Sequence, residues 1–307
     1  MKGIDMNKQP LVSIIMPFFN VEDFITEAVD SVMNQSYENW ELFLIDDGSK
    51  DDSSTIARDL ANSHAKIKYL HHDNHENKGA GLSRNLGLSK ANGKFIALLD
   101  SDDAWLPGKL AYQVDIKNKY PEADMICGAT LYWNSWAGKS KKDKIVRNGC
   151  TPNIVHQPPV LMNTLYPLGE GTGPCVSSIL IKRDVAIKLG GFLDAHYGLY
   201  EDQLFLTKVY LFASVYVSDK CYDKYRLRPE SICGTTQSEG SYHIYRLRYL
   251  NWLKGYLKEN DINFKAVKKA LKRNLIRYEW PKYYKAQQLK KRIKNKVKTR
   301  LQILVNS

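Results

Sequence analysis

Four short apolar segments alternate with amphipathic segments along the first hundred residues. Residues 11–16, 41–45, 67–70 and 95–99 have the length and apolar content of buried strands. Apolar residues recur at helical spacing over 22–35 and 79–91, and a more polar helix is predicted to end near residue 60. Strands that alternate with helices in this way predict a parallel sheet of βαβ units. Such sheets bind ligands beyond the carboxyl ends of their strands, so the residues after each strand are the first candidates for a site.

The second half of the chain is predicted to be less regular. Its predicted strands and helices lie at 123–131, 176–181, 183–189, 201–212, 215–217 and 221–227. Residues 132–174 are polar and rich in Gly and Pro, which predicts loops. We expect an α/β fold whose mostly parallel, Rossmann-like sheet is flanked by helices. One domain is expected over 1–235, with halves at about 10–115 and 116–235, followed by a basic helical C-terminal extension over 236–307.

Positive charge is concentrated at the end of the chain. Residues 242–307 contain 19 of the 45 Lys and Arg residues and 3 of the 33 acidic residues, a net charge of +16. The preceding 241 residues contain 26 basic and 30 acidic residues, so their net charge is −4. A near-neutral body with a basic end indicates attraction to an anionic surface. No nucleic acid partner is expected, because the body is not basic and contains no recognised nucleic-acid-binding motif.

The last part of this basic region has the pattern of an amphipathic helix. Its apolar residues share one helical face and are Leu289, Ile293, Val297, Leu301 and Leu304. Seven Lys and Arg residues between 290 and 300 surround that face. Such a helix either lies in an anionic lipid interface or packs its apolar face on the body of the protein. We expect the first, with peripheral attachment to the inner face of the cytoplasmic membrane.

Cysteine spacing and apolar run lengths favour a cytoplasmic protein. The five Cys residues include no pair at C-x-x-C spacing, which favours reduced, buried thiols over a disulfide framework or a zinc site. The first ten residues lack the apolar run of a signal peptide. No run of about 18 apolar residues occurs, so no transmembrane helix is expected.

Three carboxylates in four residues follow the fourth predicted strand: Asp100, Asp102 and Asp103. Like charges a few ångström apart repel one another, so a nearby cation would stabilise this cluster. Carboxylate oxygens suit hard cations such as Mg²⁺ or Mn²⁺, and Mg²⁺ is often held by one or two carboxylates together with substrate phosphates. A cation here would neutralise a departing diphosphate. The alternative is a solvated turn or a helix cap.

Two further segments follow predicted strands in the same half. Asp46 and Asp47 end the second strand, where their carboxylates would accept hydrogen bonds from a nucleoside or else only stabilise the turn at Gly48. The glycine-rich segment before Arg84 predicts a helix start, whose free N–H groups favour phosphate. Arg84 suits bidentate binding of a diphosphate, although a plain helix start is the alternative.

An acidic pair begins a predicted helix in the second half. Asp202 is a candidate general base that removes the proton from an acceptor hydroxyl. Glu201 precedes it, so the two side chains point in different directions and only one of them is expected to face a reacting group. The alternative is capping alone, because the helix dipole favours acids at a helix N-terminus.

Six segments together resemble the family 2 inverting glycosyltransferases with the A-type nucleotide-sugar-binding fold. They occupy residues 12–20, 46–49, 81–85, 100–102, 190–192 and 201–202. The resemblance covers roughly residues 10–230 and implies transfer of a sugar from a nucleotide-diphosphate sugar, with UDP expected, to an acceptor hydroxyl with inversion. It also implies Mn²⁺ or Mg²⁺, a sugar or lipid-linked sugar acceptor, and a place in bacterial surface polysaccharide or glycolipid synthesis. The Q-x-x-R-W segment of processive members is absent, so one sugar per encounter is expected.

The resemblance also implies roles for individual residues. Nucleotide-sugar binding is assigned to Pro17, Phe19, Asp46, Asp47, Arg84, Asp100 and Ser101. Asp102 would bind the metal, and Asp202 would be the catalytic base. Glu201, Asp103, Arg226 and Arg228 are further candidates. The two arginines either close over the diphosphate or only solvate the end of a strand.

Other functional classes predict different products or ligands. A nucleotidyltransferase can also combine a parallel sheet, acids and Mg²⁺, but it would release pyrophosphate instead of a nucleoside diphosphate. A nucleic-acid-binding protein would bind strands in a strongly salt-dependent manner. A non-catalytic sugar-nucleotide-binding protein would retain the donor site without turnover.

Overall fold

The computed structural model describes residues 9–138, 142–193 and 199–281 of the chain. The chain divides into two compact units, residues 1–245 and 246–307. The strands belong to the first unit and are β1 (Val12–Phe18), β2 (Trp40–Asp46), β3 (Ile67–His71), β4 (Phe95–Leu98), β5 (Ala104–Trp105), β6 (Met125–Trp133), β7 (Lys144–Val146), β8 (Ile154–His156), β9 (Leu180–Lys182) and β10 (Val215–Arg226). The helices are α1 (Ile25–Met33), α2 (Ser53–Ser63), α3 (Ala80–Lys90), α4 (Lys109–Lys119), α5 (Val160–Thr164), α6 (Arg183–Lys188), α7 (Glu201–Phe212), α8 (Ile232–Ser238), α9 (Tyr242–Glu259) and α10 (Lys265–Glu279).

The first half forms the parallel sheet that the alternation of strands and helices predicts. Strands β3, β2, β1 and β4 lie side by side in that order, and all their pairings are parallel. Helices α1, α2 and α3 connect them as βαβ units. Every residue of β1 and β2 is buried, which is typical of parallel strands covered on both faces. The predicted α/β fold class is confirmed.

Side chains alternate between the two faces of the sheet along each strand, and both faces of this half are buried. A different set of helices covers each face. Val12, Ile14 and Met16 of β1 are buried in one cluster with apolar residues of α1 and α2. Ile15 lies on the opposite face, where α3 packs against β1 and β2. At Gly87 of α3, an added Cβ would lie 2.8 Å from Ile15 Cγ2. The glycine therefore lets α3, which carries Arg84, approach the sheet closely.

The second half extends the sheet with strands of both directions. β9 is antiparallel to β4 on one side and to β6 on the other, and β10 is parallel to β6. β6 and β10 therefore run in the same direction as β1–β4. The short strands β5, β7 and β8 add antiparallel pairings. We call the edge where these six parallel strands end the carboxyl edge. The residues that follow the strands there are Phe19, Asp47, His72, Leu99, Asn134 and Leu227.

The structure differs from the sequence prediction in the second half. Residues 132–174, predicted as loops, contain the short elements β7, β8 and α5. The strand predicted at 176–181 starts as a 3₁₀ turn, Val176–Ser178, and only Leu180–Lys182 pairs with the sheet. The two strands predicted at 215–227 are one strand, β10, whose register with β6 shifts between Val217 and Asp223. Short β-runs carry too little periodicity to be distinguished from loops.

The second unit is described through α10 and residue 281. Its helices bury leucines at helical spacing, and Leu250, Leu253 and Leu257 of α9 are each at most 3% exposed. The Arg246 side chain donates to Asn274 Oδ1 at 2.7 Å and links α9 to α10. The amphipathic segment 289–304 lies outside the described residues. None of the described helices combines the length and apolarity that crossing a bilayer requires.

Candidate functional site

Arg84 and two acidic side chains form a buried ion-pair cluster at the carboxyl edge. Arg84 is 6% exposed, and its Nη2 donates to Asp100 Oδ1 at 2.7 Å. Its Nη1 lies 3.8 Å from Glu201 Oε2, and its guanidinium lies over the Phe192 ring. Burial disfavours the charged form, but the carboxylates of Asp100 and Glu201 outweigh burial and raise the pKa of Arg84. Arg84 therefore joins α3, the end of β4 and the start of α7; its contact with a diphosphate stays a prediction.

Glu201 and Asp202 have different surroundings, as adjacent helical residues do. Glu201 faces Arg84, and its Oε2 would lie 3.1 Å from a Cβ on Gly81, so it lies against the first turn of α3. Burial raises the pKa of Glu201. Asp202 Oδ1 accepts the N–H of Gln203 at 2.8 Å, and its Oδ2 accepts the side-chain amide of the same residue at 3.1 Å. Burial raises the pKa of Asp202, because its effect is larger than the opposing effects of the Gln203 hydrogen bonds and the Arg84 charge. A raised pKa strengthens a carboxylate as a proton acceptor.

The Asp46 carboxylate is fully buried and hydrogen-bonded within the protein. Its donors are the N–H groups of Gly48 and Ser49, at 3.1 and 2.8 Å, and the hydroxyls of Ser54 and Tyr69. These hydrogen bonds lower the pKa of Asp46 although burial raises it. Asp46 therefore fixes the turn after β2 and the start of α2, which is the turn role left open by the sequence; contact with a nucleoside stays a prediction.

Asp47 ties the segment before α3 to the end of β2. Its carboxylate accepts the N–H groups of Lys78 at 2.8 Å and Gly79 at 3.0 Å, and the Ser83 hydroxyl at 3.0 Å. Gly48 follows with φ of 84°, and a Cβ there would lie 2.6 Å from a backbone oxygen. Only glycine fits this turn without strain. Asp47 thus positions the first turn of the helix that carries Arg84.

Three other predicted residues line the same edge with different exposure. Pro17 is buried in β1, next to Ile45 of β2. Phe19 follows the strand, and 45% of it is exposed. Ser101 is 6% exposed and follows Asp100. Of these three, only Phe19 presents a large surface for a ligand.

Asp102, the predicted metal ligand, is paired with an arginine. Its Oδ2 accepts from Arg228 Nη2, and the two side chains are 22% and 19% exposed. Burial and the charge of Asp100 raise the pKa of Asp102, more than Arg228 lowers it. The Arg228 guanidinium also lies over the Phe24 ring. The pair brings the end of β10 beside the loop after β4. Contacts of Arg228 with a diphosphate and of Asp102 with a metal stay predictions.

Asp103 and Arg226 belong to an internal network. Asp103 is 1% exposed, and it accepts the Ser177 hydroxyl at 2.6 Å and the Arg226 N–H at 3.0 Å. Arg226 Nε donates to the Asp102 carbonyl at 2.7 Å, and its guanidinium lies 4.3 Å from the centre of the Trp133 ring. These contacts fix residues 100–103, which we call the acidic loop, against β10. Direct ligand contacts of both residues stay predictions.

The acidic loop offers oxygens suited to a divalent cation. No group of three or more His, Cys, Asp or Glu side chains within the described ranges is arranged to hold a metal ion. Asp100 and Asp102 are partly exposed, and each has only one carboxylate oxygen bonded to an arginine. Two such carboxylates fit Mg²⁺ or Mn²⁺ when the remaining ligands are water and diphosphate oxygens. The residues present therefore fit the metal that the sequence predicts.

A cavity of about 560 Å³ opens beside the ion-pair cluster. Asp100, Arg84, Glu201 and Asp202 all line it, so the structure brings these four predicted residues together. Further lining residues that the sequence analysis did not identify are Tyr132, Tyr166, Glu170, Thr172, Tyr200, Gln203, Tyr225 and Tyr242. They come from two strands, two helix starts and the loop after α5, so no local motif connects them.

The sequence model described as "Glycosyl transferase family 2" matches residues 13–190, which is more than half of the chain. Among curated relatives, the UDP-Glc:alpha-D-GlcNAc-diphosphoundecaprenol beta-1,3-glucosyltransferase WfgD of Escherichia coli is 46% identical over 109 residues. The putative teichuronic acid biosynthesis glycosyltransferase TuaG of Bacillus subtilis is 40% identical over 109 residues. Each alignment covers 36% of this chain and 42% of the relative. The chain thus spans less than half the length of these relatives.

Two solved structures share the fold at low sequence identity. TarS of S. aureus in complex with UDP has a TM-score of 0.54 and 24% identity, over 71% of this chain and 61% of that chain. The mannosyltransferase PcManGT of Pyrobaculum calidifontis, in complex with GDP-Man and Mn²⁺, has a TM-score of 0.54 and 17% identity. This match covers 87% of the present chain and 69% of PcManGT. These likenesses confirm the predicted A-type fold.

Replacing Arg84 tests whether its ion pairs hold the carboxyl edge together. Arg84→Met keeps much of the volume but leaves the largely buried carboxylate of Glu201 and the partly exposed carboxylate of Asp100 without their partner. The free energy of unfolding should therefore fall by about 3 kcal/mol. Urea denaturation measures this. The control is Lys119→Met, which removes the exposed ion pair with Asp115 on α4 and should leave the midpoint unchanged. Equal effects of the two substitutions would contradict the structural role of Arg84.

Proposed function

Because the chain belongs to glycosyl transferase family 2, we propose that it transfers a single sugar from a nucleotide-diphosphate sugar to an acceptor hydroxyl with inversion. One observation carries the proposal: Asp202, with its raised pKa, and Asp100 of the acidic loop line the same cavity. A proton acceptor and a diphosphate-binding loop must both reach the reacting sugar, and the shared cavity allows this.

The catalytic step assigns the base role to Asp202. One of its carboxylate oxygens accepts the proton of the acceptor hydroxyl as that oxygen attacks the anomeric carbon. The bond from this carbon to the diphosphate breaks on the opposite face, and the diphosphate leaves with the electron pair. Inversion follows from this in-line geometry, and the transition state has oxocarbenium character. Asp202 is suited to this step because burial raises the pKa of its carboxyl group. Its carboxylate therefore accepts a proton more readily than an exposed carboxylate does.

The donor side uses the residues around the acidic loop. Asp100 and Asp102 would hold Mn²⁺ or Mg²⁺, which when bound neutralises the charge of the departing diphosphate. Phe19, exposed beside the buried Pro17, offers a ring face to a nucleobase. Asp46 and Asp47 position the turn after β2 and the start of α3 beside Phe19. UDP is the proposed nucleotide; TarS was solved with UDP, WfgD is named for UDP-Glc, and PcManGT was solved with GDP-Man and Mn²⁺.

The names of the relatives support a role in bacterial surface polysaccharide or glycolipid synthesis. TuaG is named as a putative teichuronic acid biosynthesis glycosyltransferase, and the name of WfgD gives a diphosphoundecaprenol-linked acceptor. We propose that this chain also acts on a lipid-linked acceptor, from the cytoplasmic side of the membrane. The basic amphipathic segment 289–304 would hold the protein at that surface.

Vesicle binding tests the membrane part of this proposal. The full chain should co-sediment with vesicles that contain anionic lipid and should be released by salt, because the attraction is electrostatic. Deleting residues 285–307 should abolish co-sedimentation while leaving UDP binding intact. If the shortened chain sediments with vesicles as well as the full chain, the segment does not anchor the protein.

An Asp202→Asn substitution tests the catalytic step. With UDP-sugars and lipid-linked acceptors, the rate of UDP release should fall by about 10²–10⁴-fold, because general base catalysis contributes roughly that factor. Asp115→Asn, at an exposed position of α4, is the matched control and should keep full activity. Release of pyrophosphate from a nucleoside triphosphate and a sugar phosphate would instead identify a nucleotidyltransferase.

The pH dependence of kcat/KM follows from the raised pKa of Asp202. Only the deprotonated carboxylate accepts a proton, so kcat/KM should rise with pH through the raised pKa of Asp202 and then level off. The rising limb should therefore lie above the range of an exposed aspartate, about 3.9. The residual activity of Asp202→Asn should lack this limb. If the limb persists in the variant, another group is the base.

A further inference from the structure

Five tyrosines line the cavity that contains Asp202. Tyr132 of β6 and Tyr225 of β10 are directly paired across the sheet, with ring centres 5.4 Å apart. The other three, Tyr166, Tyr200 and Tyr242, form a second group with ring centres 5.8 to 6.3 Å apart. These residues are far apart in the sequence, so the fold alone collects them around one space.

Tyr200 connects this aromatic lining to the start of the helix that carries Glu201 and Asp202. It is the N-cap of α7 and has a left-handed backbone, with φ of 85° and ψ of 8°. A bulky residue adopts this conformation only where its surroundings determine it, and such strain clusters at ligand sites. Tyr200 is 5% exposed and packs against Tyr166 and Tyr242. The same residue therefore contributes a ring to the cavity and begins the helix that carries Glu201 and Asp202.

The chemistry of the lining favours a sugar ring over an alkyl chain. Besides the tyrosines, the cavity is lined by polar groups such as Glu170, Thr172 and Gln203, whereas its larger aliphatic residues are Val176 and Leu199. An alkyl chain is best accommodated by aliphatic side chains, because it offers no hydrogen bonds. A pyranose has an apolar C–H face and a rim of hydroxyls, so it suits aromatic faces bordered by polar side chains.

We propose that Tyr132, Tyr166, Tyr225 and Tyr242, with the buried Tyr200 packed behind them, form an acceptor subsite that stacks on a pyranose ring and presents one of its hydroxyls to Asp202. This inference rests on the proposed function and assigns the acceptor end of the site. The sugar next to the attacking oxygen, rather than its lipid, is what the cavity recognises. The tyrosines set acceptor specificity, and donor binding does not depend on them.

Binding of simple glycosides tests the subsite directly. Saturation-transfer NMR with UDP and Mg²⁺ present would use the methyl glycosides of glucose, galactose and N-acetylglucosamine, with decyl phosphate as the alkyl probe. Ring protons of at least one glycoside should receive saturation from the wild-type protein. Tyr242→Ala and Tyr225→Ala should each weaken that glycoside roughly ten-fold, the loss expected for one aromatic contact. Tyr242→Phe should retain it because the ring remains.

Tyr256→Ala is the matched control, because Tyr256 lies on the same helix as Tyr242 and stacks on Trp252 outside the cavity. It should bind the glycoside as the wild type does. The subsite is overturned if no glycoside binds, if the alanine variants bind as tightly as the wild type, or if only decyl phosphate binds. Calorimetry with UDP on the same samples separates the two proposals. UDP binding without glycoside binding refutes the subsite alone, and glycoside binding without UDP binding refutes the donor assignment.

Discussion

The carboxyl edge depends on one buried cation, the guanidinium of Arg84. Asp100 and Glu201 come from distant parts of the chain, and their carboxylates would repel each other without a positive charge beside them. Arg84 lies 2.7 Å from the first and 3.8 Å from the second, so it fixes the start of α7 against the end of β4. Burying these charges is costly and brings little net stability. The arrangement is better explained by what it positions, which is Asp202 in the adjacent cavity.

The aspartates at the carboxyl edge differ in how many of their carboxylate oxygens are bonded within the protein. Asp46, Asp47 and Asp103 are at most 4% exposed, and hydrogen bonds from neighbouring loops occupy their oxygens. Asp100 and Asp102 are partly exposed, and in each of them only one carboxylate oxygen is bonded to the arginine partner. Strand direction explains why they meet. Because β9 is antiparallel between β4 and β6, the strands of both halves end at the same edge.

The sequence predicted what depends on local patterns. The parallel order of β1 to β4 follows from apolar runs and helical spacing, and the motif residues Arg84, Asp100, Glu201 and Asp202 do meet in one cavity. The sequence could not predict that Arg84 pairs with protein carboxylates, because Glu201 is more than a hundred residues away. It also missed the tyrosine lining, since aromatic residues at such separations give no periodic signal. The short strands in 132–174 were missed for the same reason.

Calorimetry shows whether the acidic loop binds a nucleoside diphosphate through a divalent cation. UDP would be titrated into the full chain with and without Mn²⁺, beside Asp102→Ala and the exposed control Asp115→Ala. We expect tight UDP binding only when Mn²⁺ is present, and we expect it to be lost in Asp102→Ala and retained in Asp115→Ala. UDP binding that is independent of both Mn²⁺ and Asp102 would show that the acidic loop does not bind the diphosphate through a cation.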